Sequence, residues 1–328
     1  MAKIQLLLIQ GDTTTDMTAL VKSVHWKGRK GSSARTLNVT MIDDKGYKHA
    51  RSGIDVEDGN QCVFYVDGQE RFRGILLNQG QSSKKQLKYT AYDNGIYLAN
   101  NKDTFVYKNK TADQVFSDVC SRFGIPTGEI AKCSYKIPEL TKSKTTGQDA
   151  VLDALSLDYK ATGARHFISS DKGKLSLFQR KDQVISFVVD GDANLYGYSY
   201  TKSIESIKTR VKMISKEGTT LAEKSNSSLE QKIGIFQEIQ QPDESLTKAQ
   251  VKDLVGSVLD TLDDPEETLM LNILGDPDVI SGKAILVKIP HLDISRAYYV
   301  DSDDHTFEDN MHTMSLTLTT AAEIKKEG

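Results

Sequence analysis

Residues 269–318 carry the pattern that most restricts what this chain can fold into. Leu269-Met-Leu-Asn-Ile-Leu274 is an apolar-rich run that stops at Gly275-Asp-Pro-Asp278, where Pro277 fixes φ and Gly275 permits a positive one. Gly282 reopens the chain, Ala284-Ile-Leu-Val-Lys-Ile289 follows as a β-branched run, and Pro290 closes it. Ala297-Tyr-Tyr-Val300 reads as a third strand. A polar excursion from Asp301 to Asn310 then returns through His312–Leu318, in which Met314, Leu316 and Leu318 alternate with Thr313, Ser315 and Thr317. Four strand candidates separated by turn chemistry spell an antiparallel meander or a small barrel.

The first hundred residues are written in the same way. Strand patterns lie at Ile4–Ile9, Leu20–Trp26, Leu37–Ile42, Cys62–Val66, Arg71–Leu77 and Gln86–Tyr92. Asp43–Gly46 follows the third as a turn, and Asp67-Gly68 is a strong hairpin signal between the fourth and fifth. Six strands at short spacing favour a barrel or sandwich over an α/β fold.

From 101 to about 185 the pattern changes. Thr111 and Gln114 make a capping box, after which Val115, Phe116, Val119, Cys120 and Phe123 keep helical spacing until Gly124 and Pro126 stop it. A second helix is expected over Gln148–Leu157, then a hairpin from Arg165–Ile168 to Leu175–Phe178 around Asp171-Lys-Gly173. β patterning returns at Ile185–Val189, before the turn Asp190-Gly-Asp192, and at Leu195–Tyr200 and Ile207–Ile214. The polar stretch Lys216–Lys232 reads as a mobile loop or hairpin. One more helix is expected at Thr247–Leu262, where Thr247 and Gln250 form a capping box and Val251, Leu254, Val255, Val258 and Leu262 share a face. The division that follows is a β region over 1–100, a small α+β insert over 101–185, a second β region over 186–322 holding the helix 247–262, and a polar tail over 323–328.

Composition narrows the function classes. A chain of 328 residues with 38% hydrophobic and 27% charged residues is a soluble globular protein with room for two or three domains. A net charge of −3 creates no field that would gather nucleic acid or an anionic membrane, so neither sequence-specific nucleic-acid readout nor a membrane is expected as a partner. No apolar run approaches the roughly 18 residues of a spanning helix, and Lys3–Ile9 reads as a first strand and not a signal peptide. Cys62, Cys120 and Cys133 are odd in number and lack CxxC spacing, which points to a reduced chain made in the cytoplasm, with Cys62 and Cys120 as small core residues.

The candidate chemical motifs each fail a test. Asp301–His305 begins like an EF-hand loop, but Thr306 stands where glycine is needed and His312 where the bidentate glutamate belongs. Asp190–Asn194 fails likewise at Leu195. His305 and His312 have no HExxH spacing and no identifiable third ligand, and read as histidines hydrogen-bonded in a polar β connection. There is no GxSxG elbow, no GxGxxG and no cysteine with a motif-placed histidine. Gly28 and Gly31 in the basic loop Lys27–Arg35 do not have P-loop spacing, which leaves a solvated hairpin tip or a loop touching a neighbouring subunit. Trp26, the one tryptophan where aromatic content is 7%, reads as a barrel-edge or interface residue and not as a sugar platform. No catalytic residue, cofactor or metal ligand is assigned, and the chain is expected not to be an enzyme.

The order Gly275-Asp-Pro, Gly282-Lys-Ala, Val287-Lys-Ile-Pro290, Tyr298-Tyr-Val300, His305-Thr-Phe307 and His312-Thr-Met-Ser-Leu-Thr-Leu318 resembles the C-terminal part of baseplate hub proteins. These belong to contractile phage tails, PBSX-like prophages and R-type bacteriocins, the XkdQ-like and late control protein D-like group. Tyr89-Thr-Ala-Tyr-Asp93 with Tyr97-Leu98, Thr111–Phe116 with Phe123–Pro126, and Ala150–Leu155 with Gly173-Lys-Leu175 are similar to the same group in the same order. The resemblance implies a mainly β chain in which two tail-tube-like β-barrel domains flank a small α+β domain. It further implies a structural hub in which three copies form a ring that adapts the six-fold tail tube to the three-fold central spike.

The implied partners are two further copies of the chain, a tail tube or tube-initiator protein, the central spike protein and other baseplate proteins, including a LysM-type one. Assembly would take place in the bacterial cytoplasm, and the released particle would carry the protein at its baseplate. Interface candidates under this reading are Trp26, Lys27, Arg29, Lys30, Arg35, Lys216, Lys224 and Lys232. The alternatives are a tail-associated peptidoglycan-degrading enzyme and an oligosaccharide-binding β module.

Overall fold

The structure is a computed structural model that describes residues 2–43, 56–82, 85–191, 193–242 and 246–320. The tail 323–328, Asp192 and most of the turn after Asp43 lie outside these residues. Packing separates the chain into two compact units, one made of Met1–Tyr198 with Met270–Gly328 and the other of Ser199–Leu269.

In the larger unit all six expected N-terminal strands are present, at Ile4–Gln10, Val21–Arg29, Thr36–Ile42, Gln61–Val66, Gln69–Ser82 and Gln86–Asp93. A short seventh, Thr13–Asp16, folds back on the first. Asp67 and Gly68 both have positive φ, 50° and 77°, the conformation of a tight turn whose twist suits a hairpin. Alternation puts Leu6, Leu8, Val24, Leu37, Val39 and Phe64 on the buried face.

At the other end of the chain, strands run over Ala284–Ile289, Ile294–Glu308 and Met311–Thr320. The polar excursion expected from Asp301 is instead continuous strand as far as Glu308. The turn is only Asp309-Asn310, both at positive φ. Every second residue, Asp303, His305 and Phe307, points inward, and the two polar ones find hydrogen-bond partners there.

Strand Ile294–Glu308 holds the fold together. Its first half pairs with Ala284–Ile289, from Tyr299↔Ala284 to Ile294↔Ile289. The register against Met311–Thr320 slips between Val300 and Ser302. Beyond that bulge the same edge pairs with Val21–Arg29, from Ser302↔Arg29 to Glu308↔Ser23. An extra residue bends a strand and increases its twist, and here the chain changes partner at that point. The N- and C-terminal β regions therefore share one sheet. They also share a core, since Phe307 packs in the N-terminal cluster with its ring 5.3 Å from that of Phe64. The mainly β fold with an α+β insert is as expected. Among the described residues, however, the strand order does not close on itself into a barrel.

The insert has its own core, running from Leu98 to Leu177. Helix Ala112–Arg122 starts at the Thr111–Gln114 capping box, and helix Gly147–Thr162 ends on Gly163 at φ 73°, the left-handed C-terminal stop. Strands Lys102–Lys110 and Ile137–Thr146 pair with each other, and hairpin His166–Asp171/Lys174–Gln179 takes Thr127–Ile130 as a parallel neighbour. The smaller unit is a three-stranded sheet, in the order Thr220–Ser225, Arg210–Ile214, Gln237–Gln240. The expected helix, Lys248–Leu262, lays Val251, Val255 and Leu259 against Val211 and Met213. Lys216–Lys232, expected as a loop or hairpin, instead contains strand Thr220–Ser225 and helix Ser227–Ile233. Asn226 caps that helix by accepting from Leu229 N–H.

Candidate functional site

Where the partner-changing strand crosses Val21–Arg29, the larger unit encloses a cluster of polar side chains. Arg35, just before strand Thr36–Ile42, turns its guanidinium inward. Its Nη1 donates to Asp303 Oδ1 at 3.0 Å and to Ser281 Oγ at 3.2 Å, and its Nη2 donates to Asp303 Oδ2. The Ser281 backbone N–H donates to Asp303 Oδ1 at 2.6 Å. The guanidinium also lies over the Trp26 ring, 4.3 Å from its centroid, where the electron-rich face favours a cation. Arg35 and Asp303 are 8% and 3% exposed, so the pair is a buried, two-pronged one. Burial pushes the Asp303 carboxyl up, but the Arg35 charge and hydrogen bonds outweigh it and hold the group below its ordinary value.

Two histidines extend the cluster. His305 Nε2 is 2.9 Å from the Val279 carbonyl and its Nδ1 is 2.9 Å from His312 Nε2. A carbonyl only accepts, so Nε2 of His305 carries hydrogen and Nδ1 is left to accept from His312. Both rings are then neutral, in keeping with their burial. Desolvation brings His305 down to about 4 against the pull of Asp303, and brings His312 down to about 3, helped by His305. The hydrogen-bonded nitrogens of the pair are thus taken up by each other and by the Val279 carbonyl, with Asp303 Oδ2 3.5 Å from His305 Nε2.

Two glycines make room for this arrangement. A Cβ on Gly28 would stand 2.0 Å from Arg35 Nη1, and one on Gly275 would stand 2.2 Å from the His312 ring. Gly275, expected for a positive φ, has none. It is needed because an imidazole occupies the space a side chain would take. A second buried cation repeats the theme: Arg180 Nη2 donates to the Val300 carbonyl and to Asp301 Oδ1, both at 3.0 Å, and its guanidinium stacks 4.2 Å from the Tyr299 ring.

The interface candidates fall into three groups. Trp26 and Arg35 are interior to the chain, so neither is the surface contact expected of it; both serve the cluster. Lys27, Arg29 and Lys30 lie at the end of strand Val21–Arg29 and just beyond it. Lys27 Nζ is 2.7 Å from Asp304 and Lys30 Nζ is 3.7 Å from Asp301, while Arg29 is exposed. Lys216, Lys224 and Lys232 are exposed on the smaller unit, Lys224 with its Nζ 3.2 Å from Asp260. Sequence reasoning missed Asp303, Ser281 and Arg180. The one available signal was the period of two that sets Asp303, His305 and Phe307 on a single face.

The cluster offers little chemistry. Its carboxylate is ion-paired, its histidines lie below the range of a base working near neutrality, and all are shielded from solvent. A cleft of about 240 Å³ between the insert and the loop at Gly31 is bordered by Lys30, Tyr159, Arg165, His166 and Arg180, among others, with no carboxylate, so it lacks the acid pair of a glycosidase. Among the described residues no helix is long and apolar enough to cross a membrane.

Comparison with known proteins agrees along nearly the whole length. A family model described as YQBQ-like matches residues 24–319. The phage-like element PBSX protein XkdQ of Bacillus subtilis (strain 168) is 30% identical over 319 residues, 96% of this chain and 96% of that protein. Among solved structures, a tail protein from Neisseria meningitidis MC58 superposes with a TM-score of 0.71 at 11% identity, over 98% of each chain. The Escherichia coli c3393 protein, described as a type VI secretion component structurally similar to T4 bacteriophage tail proteins gp27 and gp5, gives 0.58 at 9% identity, over 98% of this chain and 77% of that one. At such identities these two likenesses concern the fold alone.

Proposed function

The chain belongs to the YQBQ-like family, and on that footing we propose that it is a structural protein of the phage-tail baseplate, acting as the hub. The observation that carries this reading is the end-to-end match to a protein of a phage-like element, 96% of both chains. In this role three copies close a ring, with a tail tube or tube-initiator protein on one side and the central spike on the other. Other baseplate proteins, a LysM-type one among them, pack around it. The β strands of regions 1–100 and 186–322, joined in one sheet and with 199–269 folded as a unit of its own, supply two tube-like faces per chain, so that three chains present six alternating contacts to a six-fold tube; heterologous contacts that close are the physical requirement. Assembly takes place in the bacterial cytoplasm. The protein has no catalytic role, and its working residues are those that touch neighbours.

The basic group of half-buried Lys27 and exposed Arg29 and Lys30 fits such a contact. It projects from a strand pinned by the buried cluster, which keeps its position fixed at little entropic cost. Replacing all three with glutamate in the producing strain and viewing lysates by electron microscopy tests the reading. Tails that fail to grow from the baseplate, with the variant chain folded and soluble, are expected. Complete tails carrying the variant at normal numbers would overturn this contact assignment.

A further inference from the structure

Three side chains converge in the α+β region. Cys133 follows strand Thr127–Ile130, Asp158 sits near the end of helix Gly147–Thr162, and His166 opens strand His166–Asp171. The Cys133 sulfur is 3.7 Å from His166 Nε2 and 4.0 Å from Nδ1. Asp158 Oδ2 is 3.5 Å from His166 Nδ1, and the His166 and Asp158 side chains are 2% and 1% exposed. One donor atom from each residue lies within 4.8 Å of the other two.

Asp158 supplies the second observation. Its Oδ1 accepts the Tyr135 backbone N–H at 3.2 Å, but Oδ2, fully enclosed and aimed at the imidazole, has no hydrogen-bond partner among the described residues. A buried carboxylate oxygen left in this way costs free energy unless something positive meets it. Thiolate, imidazole and carboxylate together are a donor set for a borderline divalent metal. Zinc with bonds of about 2.0–2.3 Å holds its ligand atoms about 3.3–3.7 Å apart in a tetrahedron; His166 Nδ1, 3.5 Å from Asp158 Oδ2 and 4.0 Å from the Cys133 sulfur, needs a contraction of only tenths of an ångström on either side, and the Cys133 and Asp158 donor atoms lie within 4.8 Å of each other.

The surroundings also match. The Cys133 backbone N–H donates to Asp113 Oδ1 at 3.3 Å, and Lys132 Nζ donates to Asp113 Oδ2 at 3.2 Å. Asp113 is thus taken up in orienting the segment that carries the sulfur, the part played by residues behind a metal's own ligands. A thiol–imidazole–carboxylate relay would use the same residue types as a nucleophile. It needs a substrate at the sulfur, yet Cys133 does not border the adjoining cleft, which only His166 reaches.

We propose that Cys133, Asp158 and His166 bind one divalent cation of the zinc class, with water in the fourth position. The ion ties the 131–136 segment, the helix and the hairpin of the insert together. Binding replaces the thiol proton and the unmet carboxylate interaction with three metal bonds, so it stabilises the folded insert in proportion to the logarithm of free metal.

The test uses the untagged full-length chain, stripped with chelator, kept reduced and titrated with cobalt(II). One cobalt per chain is expected, with a thiolate-to-cobalt charge-transfer band in the near ultraviolet that zinc displaces, and a thermal midpoint that rises with added zinc. Cys133→Ser should abolish the band, and Asp158→Asn should weaken binding by at least ten-fold. No stoichiometric uptake at micromolar metal by the wild-type chain would overturn the proposal, whatever the variants do. So would a band that persists in Cys133→Ser. None of these outcomes bears on the mass of the assembled ring, so the baseplate reading stands or falls separately.

Discussion

Arg35 and Asp303 are 268 positions apart in the chain, yet their guanidinium and carboxylate meet through two parallel hydrogen bonds in the interior of one sheet. The contact lies where strand Ile294–Glu308 leaves its C-terminal neighbour for Val21–Arg29, so it joins the two ends of the polypeptide. A buried charge pair of this kind specifies register, since a slip of one residue would turn Asp303 outward and leave Arg35 unmet.

Removing one member should therefore destabilise far more than removing both. Arg35→Ala or Asp303→Asn is expected to cost about 3–5 kcal/mol in a denaturant titration, because each strands a buried polar partner. The apolar double variant Arg35→Met/Asp303→Leu is expected to lose less than either. Single variants within about 1 kcal/mol of wild type would show that the pair does not hold the two ends together.

The histidine pair gives the fold an acid limit. His305 is held at about 4 and His312 at about 3, against an ordinary value near 6.5. Below that value the unfolded chain takes up protons that the folded pair refuses, so stability falls as pH drops from about 6.5 toward 4. For His305 alone the loss is on the order of 3 kcal/mol. Denaturation midpoints at pH 7 and pH 4.5 should diverge less in a His305→Gln/His312→Gln variant than in wild type; equal divergence would contradict the neutral pairing.

Asp93 acts in the opposite direction. It is 2% exposed, and burial raises its carboxyl to about 7 against backbone hydrogen bonds and the Arg35 charge. Between the ordinary carboxyl value and 7 the folded chain holds a proton that the unfolded chain releases, so this group's contribution is full at low pH and is lost as pH rises to 7. Asp93→Asn keeps an acceptor for the Gly95 N–H, now 2.9 Å from Asp93 Oδ1. Relative to wild type the variant should gain stability between pH 4 and pH 8, by up to about 4 kcal/mol. Parallel stability curves for the two proteins would refute the assignment.

The parts of the fold that were legible are those decided by near neighbours. The capping boxes at Thr111 and Thr247 require residues three apart, the Asp67-Gly68 turn is complete in two, and alternation over Leu37–Ile42 or Met314–Leu318 needs only its own strand. Asp301–Glu308 looked like a loop because its stabilising partners, Arg35, Val279, Ser281 and His312, are unrecoverable from local pattern. The same blindness made Arg35 and Trp26 appear to be surface groups. Thr220–Ser225 was obscured by its polarity, as expected of an edge strand with much of its surface in water. Cys133 and Asp158 are separated by strand Ile137–Thr146 and most of a helix, and Asp158 and His166 by the helix end and a loop, so no spacing rule joins them.

The most direct test of the hub account is the mass of the purified chain by light scattering, alone and with the adjacent spike protein. A species about three times the 36.4 kDa chain mass is predicted in at least one sample, since a ring bridging six-fold and three-fold parts needs three copies. A monomer that persists in both would contradict it.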